Sequence, residues 1–415
     1  MKQRRFTLLT LAVAAAAAVA LAGCSTSGSS GGSSGSSPSP APAAAAKSSA
    51  APITVGVICS CSGAFGASVT GQVETYKALI NELNSSGGID GHTIQLTVKD
   101  DAATPGTSES EYQSLVAAHV DAIADFSFVD QPWAASAKSS GIPVVGANIE
   151  DASFNTYADF YPEGQTQDSI TKATVISAKA AGAKSIAILY CAEAPTCQQS
   201  AQQDETFGKQ LGVPVSYSVQ VSSSATDYTA QCVAAQQANA AAMIILAAPT
   251  TAATIATDCA RQNYKPIYAM EGAAVNFTTA ESTPGLMNKL VAAYNNMPYF
   301  NSTPAIQQMN AAIDKYYPGL RNNTNVWNQE AVNGWISGLL LEAAVKAGGL
   351  TASSTPSAAE VIKGLGALKA NTLDGMAPPL TFASGVPHAV DCWFTAEVEN
   401  GKPVLLNGGK LTCSS

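Results

Sequence analysis

The chain has 415 residues, with 21 lysines and arginines against 30 aspartates and glutamates and a formal charge of −9. An acidic body with few arginines is a poor partner for phosphate backbones, which argues against nucleic acid as a ligand. The stretch from Pro52 onward, about 365 residues, exceeds what one compact core accommodates, so size alone predicts two lobes.

The amino terminus opens with Lys2, Arg4 and Arg5, followed by an apolar run from Phe6 to Leu21 that closes on Leu21-Ala22-Gly23-Cys24. This is the charged region, apolar core and small-residue cleavage site of a secretory signal over 1–23. Read as a membrane-spanning helix it would need about twenty apolar residues, and the small residues before the cysteine and the polar stretch after it favour cleavage. Leu-Ala-Gly-Cys resembles the bacterial lipobox, in which the cysteine is acylated and becomes the first residue of the mature chain, so Cys24 is the expected anchor. Residues 24–51 are almost wholly Ser, Gly, Ala and Pro. With no bulky apolar side chain to bury they cannot offset their ordering entropy, and they are expected to act as a tether reaching roughly 25–30 Å from the membrane. Without the signal, 18 basic residues face 30 acidic ones, a formal charge of −12.

The body alternates strand and helix. Ile53–Cys59 is a short β-branched run bounded by a Ser/Gly turn, and Val73, Tyr76, Ile80 and Leu83 then recur at spacings of three and four, the pattern of an amphipathic helix. Asn84-Ser85-Ser86-Gly87-Gly88 stops that helix, since glycine supplies the left-handed cap. Strands are expected near 93–99, 121–125 and 143–147, with helices near 107–118 and 131–140. A second series starts at Ser185–Tyr190 and continues through strands near 213–219, 242–247 and 266–269. A long helix over Trp327–Lys346 then returns to the first lobe, and strands near 393–398 and 403–406 belong to the second. Two consecutive βα arrays predict an α/β protein of two Rossmann-like lobes, each a parallel sheet flanked by helices. In such sheets ligands bind beyond the carboxyl ends of the strands, so the cleft where those ends face each other is the expected site.

Eight cysteines remain once Cys24 is set aside, and an even count in an oxidising compartment argues for disulfides. Proximity favours Cys191 with Cys197 and Cys392 with Cys413, while Cys232 and Cys259 lie on helical patterns on either side of one strand. Cys59 and Cys61 are left over, and a ring closed across one residue is strained. No Cys-x-x-Cys or His-x-x-His spacing occurs, and the only histidines are His92, His119 and His388, so neither metal nor cofactor is expected.

Four stretches resemble the leucine/isoleucine/valine-binding protein family, the type I periplasmic binding proteins that serve ABC importers: Ile53 to Gly66, Asn81 to Gly91, the pair Asp100-Asp101, and Ala269 to Gly272. The resemblance runs from about Ile53 to the carboxyl terminus. It implies two lobes hinged by three crossovers near 165, 295 and 380, giving lobe segments 52–165, 166–295, 296–380 and 381–415, and a closure on ligand. It also implies that Ser127 receives a ligand carboxylate, although a hydroxyl there equally suits a helix cap, and that Glu271 pairs with a ligand ammonium group.

Other candidates come from the residues. The loop Ser60–Gly66 opens the first helix, whose amides favour a polar group near Ser62, and Phe65 either shields the ligand or packs the loop. Asp100 and Asp101 read as helix caps and hinge braces, and Trp133 and Trp327 as core or cleft wall. Asn148 and Glu150 stand where the family usually offers a Ser/Thr-rich carboxylate grip, and Glu330 where a pocket tyrosine is common. If Glu150, Glu271 and Glu330 all face the cleft, a cationic or multiply hydrogen-bonding solute would relieve their repulsion.

The expectation is an extracytoplasmic, lipid-anchored, monomeric solute-binding protein on the outer face of the cell membrane. It would bind an amino acid or a related polar solute such as an amide, urea or cationic amine, and would meet the membrane only by its lipid and its ABC permease subunits. The alternative is a ligand-sensing lipoprotein of the same fold. No Gly-x-Ser-x-Gly elbow, zinc motif or nucleophile beside a histidine and an orienting acid is present, which argues against an enzyme.

Overall fold

The computed structural model describes residues 50–415 except 64–65, 194, 277–279, 284, 325, 400–401 and 415. The expected signal, Cys24, the tether up to residue 49 and Phe65 lie outside the described residues. Among the described residues no helix is long and apolar enough to cross a membrane.

The first sheet consists of β1 (Ile53–Cys59), β2 (Ile94–Asp100), β3 (Ala122–Phe126), β4 (Val144–Ala147) and β5 (Phe160–Tyr161), in the order β2-β1-β3-β4-β5. All its pairings are parallel, with Val57 of β1 between Val98 of β2 and Ala124 of β3. Helices α1 (Gly66–Ser85), α2 (Pro105–Ala117), α3 (Gln131–Ala134), α4 (Ala137–Ser140) and α5 (Ser153–Thr156) connect these strands. The single helix expected over 131–140 is two short ones. The amide of Ser136 donates to the carbonyl of Trp133 at 2.7 Å, an i to i−3 closure that ends the first α-helical ladder.

The second sheet is built from β6 (Ile186–Cys191), β7 (Val215–Val221), β8 (Ala242–Leu246), β9 (Ile267–Glu271) and β10 (Leu290–Tyr294), again all parallel. It is extended by β11 (Cys392–Glu399), antiparallel to β10, and then by β12 (Lys402–Leu405), with β13 (Thr412–Cys413) also paired to β11. Helices α6 (Gln167–Ala180), α7 (Pro195–Gln210), α8 (Thr229–Gln237) and α9 (Pro249–Arg261) belong to this half. Strands β8 and β9 are buried at every position, as a sheet covered on both faces requires.

The chain then returns to the first half through α10 (Pro304–Tyr316), α11 (Gln329–Gly348) and α12 (Ala358–Ala367). Helix α11 is apolar almost all round because it lies between α1, α12 and β4. The passages between the halves run side by side. The amide of Gln165 donates to the carbonyl of Asn295 at 3.4 Å, and that of Met297 to the carbonyl of Met376 at 2.8 Å. Beyond residue 380, Phe382 and His388 pack on Tyr161 of β5, and a ring nitrogen of His388 lies 3.0 Å from the carbonyl oxygen of Ala158.

The sulfurs of Cys59 and Cys61, Cys191 and Cys197, Cys232 and Cys259, and Cys392 and Cys413 stand 2.05, 2.08, 2.00 and 2.07 Å apart, all at bonding distance. Cys232 on α8 and Cys259 on α9 are fully buried and close the longest loop of the four, 27 residues. Replacing both by alanine is expected to cost about 3–4 kcal/mol of stability on chain-entropy grounds. Urea unfolding of the double variant checks this, and an unchanged midpoint would refute it.

Candidate functional site

Strands β4 and β9, from different sheets, each deliver an acid at the carboxyl end. At the carboxyl end of β4 the chain turns through Gly146 (φ 67°) and Ala147 (φ 115°). A Cβ on Gly146 would lie 2.8 Å from that of Ser337, and Ala147 occupies a region that side chains avoid, so the turn is held in a strained shape. It leads into Asn148-Ile149-Glu150. Strand β9 ends in Glu271, followed by Gly272, where a Cβ would lie 2.2 Å from the Tyr294 ring. Only glycine lets the backbone pass that close behind the acid.

On the first lobe, Glu330 occupies the opening turn of α11, whose cap Asn328 accepts from the amide of Ala331 at 3.2 Å. The Gln72 amide nitrogen of α1 donates to the Glu330 carboxylate. The Glu150 carboxyl, half-buried at the lobe boundary, lies close enough to Glu330 for the two to interact electrostatically. Burial, and then the charge of Glu330, hold Glu150 well above the ordinary carboxylate range, and burial raises Glu330 to about 7. Behind them Glu163, fully buried, accepts from the amide of Ala147 at 3.3 Å, and burial pushes it to about 8.

On the second lobe, Glu271 accepts from Gln167 Nε2 at 3.0 Å and from Thr171 Oγ1 at 3.2 Å, both on α6. Burial, then the charge of Glu150, raise it to about 8. Asp204 of α7 is fully buried with neither carboxylate oxygen partnered, and burial followed by the charge of Glu271 drives it well above its usual value. The ion pairs among the described residues join Lys99, Arg261, Lys315, Arg321 and Lys346 to other acids. None reaches the cleft. A narrow gap lined by Glu150, Asn155, Gln167, Thr196, Ser200 and Gln203 separates the lobes here.

The structure thus brings Glu150, Glu271 and Glu330 into one electrostatic group spanning both lobes. Asn148 lies beside it, fully buried, donating to the Ser127 carbonyl at 2.9 Å while its Oδ1 has no partner. Ser127 is otherwise engaged. Its hydroxyl donates to Asp101 at 2.5 Å and accepts from the amide of Val129 at 3.0 Å, so no free hydroxyl awaits a carboxylate. Asp101 also accepts from the Ser60 hydroxyl at 2.9 Å, and Asp100 from the amides of Ser62 and Ala102. These acids therefore tie the ends of β1, β2 and β3 together. They do not cap α2, whose cap residue Thr104 makes no side-chain capping bond. Ser62 is exposed and none of its described bonds leads to the acidic group.

Trp133 is not a cleft wall. It stacks between Tyr112 (4.6 Å) and Phe160 (5.7 Å), is fully buried, and donates its ring N–H to Ser108 at 2.8 Å. An aromatic with both faces covered and its polar atom satisfied belongs to the core. Trp133→Ala is expected to cost about 3–5 kcal/mol in thermal or urea unfolding while leaving ligand affinity unchanged at temperatures where the variant is folded. A selective loss of affinity would reverse that assignment. Trp327 is half-buried, edge-on to Tyr299 at 6.4 Å and under Arg321. Sequence reasoning missed Gln72, Glu163, Gln167, Thr171 and Asp204, each brought to the site by long-range packing. The one available signal was the scarcity of arginine, since Arg261 and Arg321 are the only ones beyond residue 5.

Two sheets whose strand ends meet across a hinged polar cleft define a two-lobed binding protein, and the comparisons agree. The profile of the family described as Periplasmic binding protein matches residues 52–403, and the chain belongs to that family. Membership carries an extracytoplasmic location with it. No curated protein matches the chain. Among solved structures, a branched-chain amino acid ABC transporter protein from Thermus thermophilus with bound valine is similar at TM-score 0.76 and 12% identity, covering 88% of this chain and 97% of that one. A fatty acid ABC transporter substrate-binding protein from Thermomonospora curvata is similar at TM-score 0.70 and 20% identity, covering 88% and 92%. An ABC transporter solute-binding protein from R. palustris in complex with benzoate is similar at 0.65 and 17%, covering 88% and 98%. At such identities the likeness shows the fold, and the ligands belong to those proteins.

Proposed function

We propose that this protein is the solute-binding component of an ABC importer, anchored through Cys24, and that its cleft takes a small cationic solute. One observation carries the choice of solute: Glu150, Glu330, Glu271 and Asp204 converge from both lobes with no basic side chain among their described ion partners. Buried carboxylates are stable when paired with a cation and otherwise take up protons. A cationic guest supplies the missing partner, and closing the lobes strengthens the attraction by excluding water. The side-by-side passages near residues 165, 296 and 390 serve as the hinge. Permease subunits are the partners this reading calls for.

Isothermal titration at pH 8 tests the proposal with alkylamines, guanidines and amino acids. Saturable binding of cationic amines, with leucine and valine silent, is the expected result. Binding of valine or leucine with no response to any amine would overturn it.

A further inference from the structure

The acids that interact across the cleft are held by two separate sets of partners, one on each lobe, and each set is short of hydrogen-bond donors. On the first lobe Gln72, only 1% exposed, gives its amide nitrogen to Glu330 and leaves its own oxygen unpartnered, as is the second Glu330 oxygen. On the second lobe a single nitrogen, Gln167 Nε2, stands within hydrogen-bond distance of Glu271, Thr171 and Ser200, three acceptors for two hydrogens. Both oxygens of the adjacent Asp204 are unpartnered. These unsatisfied atoms are acceptors, as is Gln203 Oε1 on the lining of the gap, against one unpartnered donor there, Asn155 Nδ2. Gln72 and Gln167 carry no charge, so their arrangement is evidence for a donor-rich guest that does not depend on the acids themselves.

The cleft also lacks what a zwitterion needs. The Ser127 hydroxyl is held by Asp101, and no lysine or arginine enters the group. A carboxylate placed here would face Glu150 and Glu330 with no cation to pair with, and like charges in a closed site repel strongly.

We infer that the solute is a diamine or longer polyamine without a carboxylate, one ammonium group held by Glu150, Glu330 and Gln72 on the first lobe and another by Glu271 and Asp204 on the second. Such a guest bridges the lobes, so closure depends on both ends. An ammonium group offers three donors, enough to satisfy the unpartnered oxygens at either end. This rests on the cationic-solute reading above and adds to it the number and spacing of the charges.

The experiment titrates the full-length folded protein at pH 8 with butylamine, with α,ω-diamines from three to six carbons, with spermidine, and with lysine and arginine. The best diamine is expected to bind about 100-fold tighter than butylamine, because its second end engages intramolecularly. It should also bind at least about tenfold tighter than lysine, which has the same amines plus a carboxylate. Glu271→Gln and Glu330→Gln, each shown to be folded by its melting curve, should separately reduce the diamine to near the butylamine affinity. Butylamine or lysine binding within threefold of every diamine and of spermidine would overturn the inference while leaving the cationic reading intact. No amine binding at millimolar concentration would overturn both.

Discussion

Raising the pH from 5 to 8.5 without ligand is expected to lower the melting temperature of this protein. Burial raises Glu163 and Glu271 to about 8 and Glu330 to about 7, against an ordinary 4.5. The folded state therefore holds more protons than the unfolded chain between about 4.5 and 8, and stability falls as pH climbs through that window. Raising one buried carboxyl from 4.5 to about 8 corresponds to roughly 5 kcal/mol. Glu150, Asp204 and the buried group Asp125, Asp130 and Asp151 are raised too and act in the same direction. Glu82, Asp100 and Glu193 are lowered, so they are ionised in both states across this range and add no slope, while His388, lowered by burial, is a group that opposes the trend. Since lobe opening rehydrates the cleft acids, part of the loss should appear as opening, and the net drop should be on the order of 5 °C. Differential scanning calorimetry measures it, and X-ray scattering should show a larger radius of gyration at pH 8.5. A melting temperature that is flat or rises over this range would contradict the assignment of these acids as buried and unpaired.

Glu271→Gln is the substitution expected to separate binding from stability most sharply. The amide keeps the size and can still accept from Gln167 and Thr171, but it removes the charge that a cation would meet. Losing one member of a buried charge pair costs about 3 kcal/mol, close to a hundredfold in affinity. The same change removes a repelling carboxylate beside Glu150 and Asp204, so the unliganded variant should melt higher than the parent at pH 8. Titration with amines and a parallel melting curve read both effects. Weaker binding together with lower stability would mean that Glu271 supports the fold, and undiminished binding would remove it from the site.

The βα alternation was legible because β-branched runs such as Ile53–Cys59 and Ile186–Cys191 have no competing helical reading. Strand β10 was not, since Leu-Val-Ala-Ala-Tyr has no strand period of its own and is held by β9 and β11 on either side. Glu150, Glu271 and Glu330 could be named because each follows a strand or opens a long helix. Asp204 could not. It lies within Gln-Gln-Ser-Ala-Gln-Gln-Asp-Glu, which reads as a solvated face, and only the packing of α7 against α6 and the second sheet buries it. Trp133 shows the converse problem, since residue type does not reveal whether an indole meets Tyr112 and Phe160 or a guest.

The bond between the Ser127 hydroxyl and Asp101 limits how this receptor can be retuned. Converting it into a carrier of neutral amino acids calls for coordinated changes, one at residue 101 to free the hydroxyl and another at residue 330 to stop it rejecting an anion. Either alone leaves a half-built grip, so homologues that diverge toward such nutrients should differ at both positions together.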